Sequence, residues 1–233
     1  MRPRPIATCL GALLGATLVL AAGASASLIP IYRNGMESKA QRGQLLKLLG
    51  ERCSRGGSEH AIRIFVGKHT NECAYRTPVI GRDLEIAATE RLLSETPKKI
   101  QHRAFLAVNL RAGEGGARYQ LAVYPMQHKV QLRKTQVDGK VKYLEIKKNV
   151  SGVQGIDRAN ELRLRAFNVT SGPEKGTCRL LAFVGGEQVA NVTDEQVGEL
   201  QGRTSGVSVG ASDNAKGTVA TFDNVAVRTP NPF

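Results

Sequence analysis

The sequence predicts an all-β fold, and three observations support that prediction. Segments in which apolar and polar residues alternate recur from about residue 60 to the end of the chain, as in strands that bury one face of a sheet. Turn signals rich in Gly, Asp, Asn and Ser separate these segments. No long helical pattern interrupts them, which favours a closed barrel or two packed sheets over an α/β fold.

The chain begins with a pattern typical of a secretory signal peptide. Two arginines precede an apolar stretch, and Ala24-Ser25-Ala26 supplies the small residues that signal peptidase accepts. We predict that residues 1–26 are removed and that residues 27–233 form the mature domain. A lipoprotein interpretation through Cys9 fits less well, because the apolar core follows that cysteine. The rest of the sequence contains no apolar run long enough for a membrane helix, so we expect a secreted, cell-surface or periplasmic protein.

The mature chain is strongly basic. Cleavage removes Arg2 and Arg4 and lowers the net charge from +13 to +11, over 207 residues that suffice for one medium-sized domain. This charge favours anionic partners, which include acidic polysaccharide, wall polymer, lipid headgroups and nucleic acid. Among these we expect a polysaccharide or cell-surface glycan, acidic ones included, and no nucleic acid. The alternative is that Lys and Arg only keep an exported domain soluble.

The mature chain begins with one strand and one helix in the prediction. The segment "LIPIYRNG" is a strand candidate. In "MESKAQRGQLLKLLGERC", five residues fall roughly on one helical face, although Gly43 weakens the pattern. We therefore predict a short N-terminal helix on the apolar residues Met36, Ala40, Leu45, Leu46 and Leu49.

Cysteine usage agrees with export. Cys53 and Cys73 bracket a loop of a length that disulfides commonly close, and such a bridge contributes about 3 kcal/mol in the chain-entropy description. Cys178 alternates with Leu180 and Ala182, so we expect a buried free thiol.

The strands that follow are read from their apolar positions. Each set places its apolar side chains on one face, as in the groups Ile62 and Ile64; Leu84, Ile86 and Ala88; Leu106, Val108 and Leu110; Tyr119, Leu121 and Val123; Val130 and Leu132; Tyr143; Leu162, Leu164 and Ala166; Val207 and Val209; and the closing run.

The last third of the chain carries a recognisable order of motifs. These are "NELRLRAFNV", "CRLLAFVGGEQVANVTDEQ" and "GRTSGVSVGASDNAKGTVATFDNVAV". The order resembles the concanavalin A-like lectin/glucanase superfamily, and within it laminin G-like and keto-disaccharide hydrolase-like domains. The resemblance covers about residues 76–228 and implies a two-sheet antiparallel jelly-roll sandwich. Because the motifs consist of Gly, Val and Asp, they specify the fold better than the activity.

The final strand contains a polar Asp-Asn pair. Phe222 has the opposite parity from Val225 and Val227, so all three reach one core only if an extra residue is inserted between them. Asp223-Asn224 is therefore the predicted bulge. In glucanases of the superfamily an Asp at this place helps bind a structural calcium, and the resemblance implies Asp223 as a candidate calcium ligand. The alternative is an Asp that caps nearby backbone amides.

Two kinds of catalysis occur in the superfamily that the chain resembles. Its glucanases carry a Glu-x-Asp-x-x-Glu motif, whereas Asp83, Glu85 and Glu90 here have the wrong spacing, and Glu90 has the opposite parity. Its alginate lyase-like members use Gln, His, Arg and Tyr. The segment "IQHRAFLAV" offers Gln101, His102 and Arg103, but the family's Gln-x-His order and its Tyr-Lys-Gly-x-Tyr strand are not present. The chain also contains no Trp for sugar stacking. Catalysis is therefore the less favoured alternative.

A polar sheet face remains as the candidate site. If the apolar residues point inward, seven polar ones point outward, and amides and guanidiniums suit the recognition of hydroxyl and carboxylate groups. The alternative is a solvated sheet face with scattered charge. We expect a non-catalytic carbohydrate-binding or cell-surface interaction module, with a polysaccharide lyase or glycoside hydrolase acting on an acidic glycan as the alternative. The predicted glycan-binding residues are Asn109, Gln120, Tyr124, Gln131, Arg133, Arg163 and Arg165.

Overall fold

The computed structural model describes residues 28–58, 60–197, 200, 202–213 and 215–230. The predicted signal peptide, residues 1–26, lies outside the described residues. The strands are β1 (Leu28–Asn34), β2 (Leu46–Leu49), β3 (Cys53–Ser58), β4 (Ala61–Val66), β5 (Glu72–Ile80), β6 (Leu84–Leu92), β7 (Ala104–Ala112), β8 (Arg118–Tyr124), β9 (Lys129–Thr135), β10 (Val141–Lys147), β11 (Asn160–Asn168), β12 (Cys178–Val184), β13 (Glu187–Asp194), β14 (Thr204–Ala211) and β15 (Val219–Pro230). Helices α1 (Lys39–Gly43) and α2 (Lys98–Gln101) are short, and 3-10 turns cover Glu114–Gly116 and Pro125–Gln127.

Two antiparallel sheets form a sandwich, which confirms the predicted fold class. The eight-stranded sheet has the order β13-β12-β11-β6-β15-β4-β3, with β1 paired to the second half of β15. The seven-stranded sheet has the order β10-β9-β8-β7-β14-β5-β2. Apolar side chains from the inner faces of both sheets form one buried core, among them Ile86, Leu106, Leu121, Leu164, Val209 and Phe222.

The bulge predicted in the last strand is present. The pairing of β15 with β6 shifts register between Asp223 and Ala226, and Asn224 adopts a left-handed backbone with φ of 50°. Phe222, Val225 and Val227 are consequently all buried in the same core. The parity argument from the sequence is therefore confirmed.

The N-terminal helix is shorter than the predicted one. It starts at a capping box and ends at Gly43. In the capping box the Ser38 hydroxyl accepts a hydrogen bond from the backbone N–H of Gln41, and the Gln41 side-chain oxygen accepts one from the backbone N–H of Ser38. Leu46–Leu49 form β2 and pair with residues 74–76 of β5. The prediction of helix over these leucines was wrong, because pairing with an existing sheet edge outweighs a weak helical pattern.

The cysteines lie as the sequence predicts. Cys53 and Cys73 form a disulfide that joins β3 to β5, and therefore links the two sheets. Cys178 is a buried free thiol on β12. Burial raises the pKa of this thiol to about 11, which disfavours the thiolate that cysteine catalysis needs.

A polar cluster lies inside the sandwich between the two sheets. Tyr119 donates a hydrogen bond to Asp194 Oδ2 at 2.6 Å, and the ammonium of Lys134 contacts the same oxygen at 2.9 Å. Lys134 is fully buried, and Asp194 is 3% exposed. Burial opposes ionisation of Asp194, but hydrogen bonds from Tyr119, Lys134 and the Gln196 amide outweigh it and lower the pKa of this carboxyl.

Across the described residues, no helix has the length and apolar character that a membrane span requires.

Candidate functional site

The outer face of the seven-stranded sheet carries five of the seven residues predicted to bind glycan. Their side chains point away from the core, since they alternate along β7, β8 and β9 with buried apolar residues. Cross-strand pairing places Asn109 opposite Gln120, and Gln120 opposite Arg133. The five are Asn109, Gln120, Tyr124, Gln131 and Arg133.

The other two predicted residues lie on the opposite side of the molecule. Arg163 and Arg165 belong to β11 in the eight-stranded sheet, where β11 pairs with β6 and β12. Arg165 contacts the buried Glu85 carboxylate at 2.9 Å, and Arg228 contacts its other oxygen at 2.6 Å. The seven residues therefore do not share one face. Alternation along a strand indicates an outward side chain but does not indicate which sheet holds the strand.

A hydrogen-bonded group of six side chains forms the floor of this face, and we call it the polar network. The Asn109 carbonyl oxygen accepts hydrogen bonds from Arg118 at 3.1 Å and from Gln120 at 2.9 Å, and its amide donates to Ser208 at 3.0 Å. Gln120 in turn accepts a bond from Arg133 Nε at 2.5 Å. The members are Glu72, Asn109, Arg118, Gln120, Arg133 and Ser208.

The polar network shows that the face is concave. Glu72 lies on β5 and Gln120 on β8, with β14 and β7 between them. In a flat sheet these strands would be about 14 Å apart. The Gln120 amide nevertheless donates directly to Glu72 at 2.7 Å, and Arg118 contacts the other carboxylate oxygen at 2.5 Å. The outer face therefore curves so that side chains from distant strands converge.

One end of the concave face combines aromatic rings with cations. Phe105 and Tyr124 pack with ring centroids 5.7 Å apart. The Arg133 guanidinium lies 4.7 Å from the centre of the Phe105 ring, and the Lys129 ammonium lies 3.9 Å from that of Tyr124. Gly210 allows this packing, because a Cβ there would come within 2.7 Å of the Phe105 ring.

Positive charge dominates the concave face. Arg118, Lys129 and Arg133 lie on this face, whereas the polar network has a single carboxylate, Glu72, which is already bound by Arg118. Burial lowers the pKa of Lys129, and the nearby charges of Lys148 and Arg133 lower it further. An anion at this end of the face would relieve that repulsion.

Two cationic side chains here, Arg133 and Lys129, have groups open to a ligand within the part of the chain that the structure describes. Arg133 uses its Nε for Gln120, but its terminal amino groups make no hydrogen bond, and neither does the Lys129 ammonium. The Gln131 side-chain oxygen is buried and also has no hydrogen-bond partner.

An exposed aromatic side chain borders the face. Tyr143 on β10 pairs with Arg133 on β9, so both point to the same side of the sheet, and Tyr143 is 52% exposed. Its ring offers a surface for stacking on a sugar, in a chain that has no Trp. Sequence reasoning did not select Tyr143, nor Glu72, Phe105, Arg118, Lys129 and Ser208, because only strand pairing brings these positions together.

The carboxylates considered for glucanase catalysis do not converge. Glu85 is held by two arginines on the eight-stranded sheet, and Glu90 lies inside the core. The Asp83 carboxylate accepts hydrogen bonds from the Arg111 guanidinium and from the backbone N–H of Asn168. Retaining hydrolysis needs two carboxyl groups that face one substrate, whereas Glu90 is buried in the core and the carboxylates of Glu85 and Asp83 are engaged by arginines.

The residues considered for lyase chemistry have structural contacts. The Gln101 amide donates to the Thr96 carbonyl oxygen at 2.8 Å, and Arg103 forms an ion pair with Asp213 at 2.8 Å. Gln101 and Arg103 thus hold the segment around α2 in place.

Asp223 lies on the bulge of β15, where its carboxylate accepts hydrogen bonds from the backbone and the side chain of Asn224 at 2.6 and 3.0 Å. Burial raises the pKa of Asp223. The described residues contain no group of three or more His, Cys, Asp or Glu arranged around a possible metal position. Calcium binding at Asp223 stays a prediction.

Comparison with known proteins identifies the fold. No protein family and no curated protein matches the chain by sequence. Among solved structures, a carbohydrate-binding module from Bacillus subtilis is similar with a TM-score of 0.59 and 12% identity, over 80% of this chain and 96% of that one. A Bacillus subtilis protein of unknown function with a galectin-like fold gives 0.57 and 13%, over 88% and 100%. A glycosidic hydrolase gives 0.56 and 9%, over 89% and 99%. At these identities the likeness shows the fold alone.

Proposed function

We propose that this protein is an exported, non-catalytic carbohydrate-binding domain whose concave face binds an acidic glycan. The observation that carries this proposal is the arrangement of Lys129 and Arg133 beside an exposed Tyr143 on a concave sheet face. The likeness in fold to a carbohydrate-binding module agrees with it. Membership of the concanavalin A-like superfamily is part of the same proposal.

The chemistry of the face suits a uronate or another acidic sugar. The terminal amino groups of Arg133 can grip a carboxylate with two parallel hydrogen bonds, and Lys129 adds a second positive charge. Tyr143 supplies a flat apolar surface for the sugar ring. The polar network beneath holds Arg133 in place through Gln120.

A glycoside hydrolase or polysaccharide lyase is the second candidate, because a glycosidic hydrolase shares the fold. Glu72 supplies the carboxylate of the polar network, and Arg118 and Gln120 occupy both its oxygens. Both oxygens are therefore engaged in contacts within the protein. Burial also raises the pKa of Tyr124, which disfavours its use as a base. These contacts favour binding over catalysis.

Export is proposed from two features. The Cys53–Cys73 disulfide is typical of proteins in oxidising compartments. The leader at residues 1–26 has the sequence pattern of a signal peptide.

A glycan array with the purified protein tests the proposed function. We expect binding to acidic polysaccharides, weakened by added salt, and no comparable binding to neutral ones, because the open groups on the face are cationic. Absence of binding to every sugar would contradict the proposal. Release of shortened or unsaturated products from any polysaccharide would favour the enzymatic candidate.

A chelator arm of the same experiment tests the calcium hypothesis. If Asp223 helps bind a structural calcium, removal of the ion lowers the unfolding temperature. An unchanged unfolding temperature would leave Asp223 as part of the bulge alone.

A further inference from the structure

A cleft of about 910 Å³ opens at the β2 side of the same sheet. It lies between β2, the middle of β5, the turn that joins β7 to β8, and the start of β14. Arg76 reaches it from the outer face of the sheet, because Arg76, Ala74 and Glu72 occupy every second position of β5 and share that face. The cleft therefore continues the concave face on the far side of the polar network from Arg133.

The charge of the cleft is positive. Lys47, Arg76 and Arg203 line it, and its described lining residues include no acidic side chain. The Lys47 ammonium donates to the Glu51 carbonyl oxygen at 2.9 Å. Within the described chain, Arg76 and Arg203 form no side-chain hydrogen bond and no ion pair, in contrast to Arg118 and Arg165. Cations without a counter-charge among the described lining residues favour an anion from outside.

The rim of the cleft leaves backbone accessible. Gly115 and Gly116 adopt left-handed φ angles of 66° and 79°, which glycine accepts without strain. A Cβ on Gly116 would lie 3.3 Å from an amino group of Arg118 and 3.7 Å from Leu49. The Gly116 carbonyl oxygen accepts a hydrogen bond from Arg118 at 2.6 Å. Arg118 thus links the rim directly to the polar network.

The walls are apolar. Leu48 and Leu49 are half-buried, and Val137, at the opposite wall, is 64% exposed. Apolar walls with cations between them suit a ligand that has C–H surfaces and anionic substituents, as the sugars of an acidic polysaccharide do. A small inorganic anion would use only the cations.

We propose that this cleft is a second subsite for an acidic oligosaccharide, in which Arg76 and Arg203 bind a carboxylate or sulfate group. The inference rests on the proposed function, because one glycan chain is taken to run from Arg133 across the polar network into the cleft. It predicts that the protein distinguishes acidic glycans by length. A short oligosaccharide occupies the Arg133 end, and a longer one occupies both ends.

Calorimetric titration with a uronate disaccharide, a uronate hexasaccharide and a sulfated hexasaccharide tests this inference. For Arg76→Ala with Arg203→Ala, we expect about a hundredfold weaker binding of at least one hexasaccharide, because each of the two lost charge-assisted contacts is worth roughly a factor of ten. Disaccharide binding stays unchanged. The two hexasaccharides distinguish carboxylate from sulfate as the preferred group.

Arg33→Ala is the matched control, because Arg33 is an exposed arginine on β1 in the other sheet. It removes a positive charge but does not line the cleft. If Arg33→Ala weakens hexasaccharide binding as much as Arg76→Ala alone does, the inference is overturned, because the effect would then be one of net charge. The inference would also be overturned if the cleft variant binds the hexasaccharides as tightly as the unaltered protein does, while Arg133→Ala abolishes that binding. In that case the proposed function would stand.

Discussion

Replacing Asp194 by Ala is expected to lower the free energy of unfolding by about 3–5 kcal/mol. The substitution leaves the fully buried Lys134 ammonium without this carboxylate, and it removes the acceptor of the Tyr119 hydroxyl. Urea denaturation of both proteins at pH 7 measures the difference. Because the folded structure lowers the pKa of Asp194, its contribution is present at neutral pH and is lost as the pH falls through the folded-state pKa.

The double variant Lys134→Met, Asp194→Leu is the control for this prediction. Both charges are removed together, so no buried ion loses its partner, and the double variant should be more stable than Asp194→Ala alone. If Asp194→Ala costs less than 1 kcal/mol, the buried pair does not contribute as the structure indicates.

Replacing Glu90 by Gln is expected to stabilise the protein increasingly as the pH rises. Glu90 points into the core between Ala88 and Leu92, and neither of its oxygens has a hydrogen-bond partner among the described residues. Burial raises its pKa well above the ordinary value of 4.5. The folded state therefore keeps a proton that the unfolded state releases. Stability falls by about 1.4 kcal/mol per pH unit from the ordinary glutamate pKa up to the folded-state pKa.

The Gln variant cannot lose this proton, so the difference in unfolding free energy between Glu90→Gln and the unaltered protein should grow with pH above about 4.5 and then level off. Denaturation series at several pH values measure it. Glu161→Gln is the control, because Glu161 on β11 is an exposed glutamate. A difference that does not change with pH would show that Glu90 has an ordinary pKa.

Much of the fold could be predicted from the sequence, because alternation is a local property of a strand. The bulge at Asp223 was also predictable, since the parity of Phe222 and Val225 can be read from the sequence alone. The helix over Leu46–Leu49 was predicted wrongly, because an edge position beside β5 decides the structure of that segment. Pairing between distant segments does not appear in local periodicity.

The candidate site was only partly predictable for the same reason. Asn109, Gln120 and Arg133 were selected by alternation alone, and they share one face because their strands follow one another in the chain and pair as neighbours. Arg163 and Arg165 have an equally good pattern, but the chain crosses to the other sheet before β11. Glu72 joins the polar network across 48 positions from Gln120, through a curvature that only the assembled sheet has.

The central claim is that the concave face of the seven-stranded sheet binds an acidic glycan through Arg133. The most direct measurement is calorimetric titration of an acidic oligosaccharide into Arg133→Ala and Arg163→Ala, which remove the same charge from opposite sides of the sandwich. We expect Arg133→Ala to weaken binding about tenfold to a hundredfold, because it removes charge-assisted hydrogen bonds, and Arg163→Ala to leave affinity within about twofold. Equal affinity of the two variants, or a larger loss in Arg163→Ala, would contradict the assignment of the site to this face.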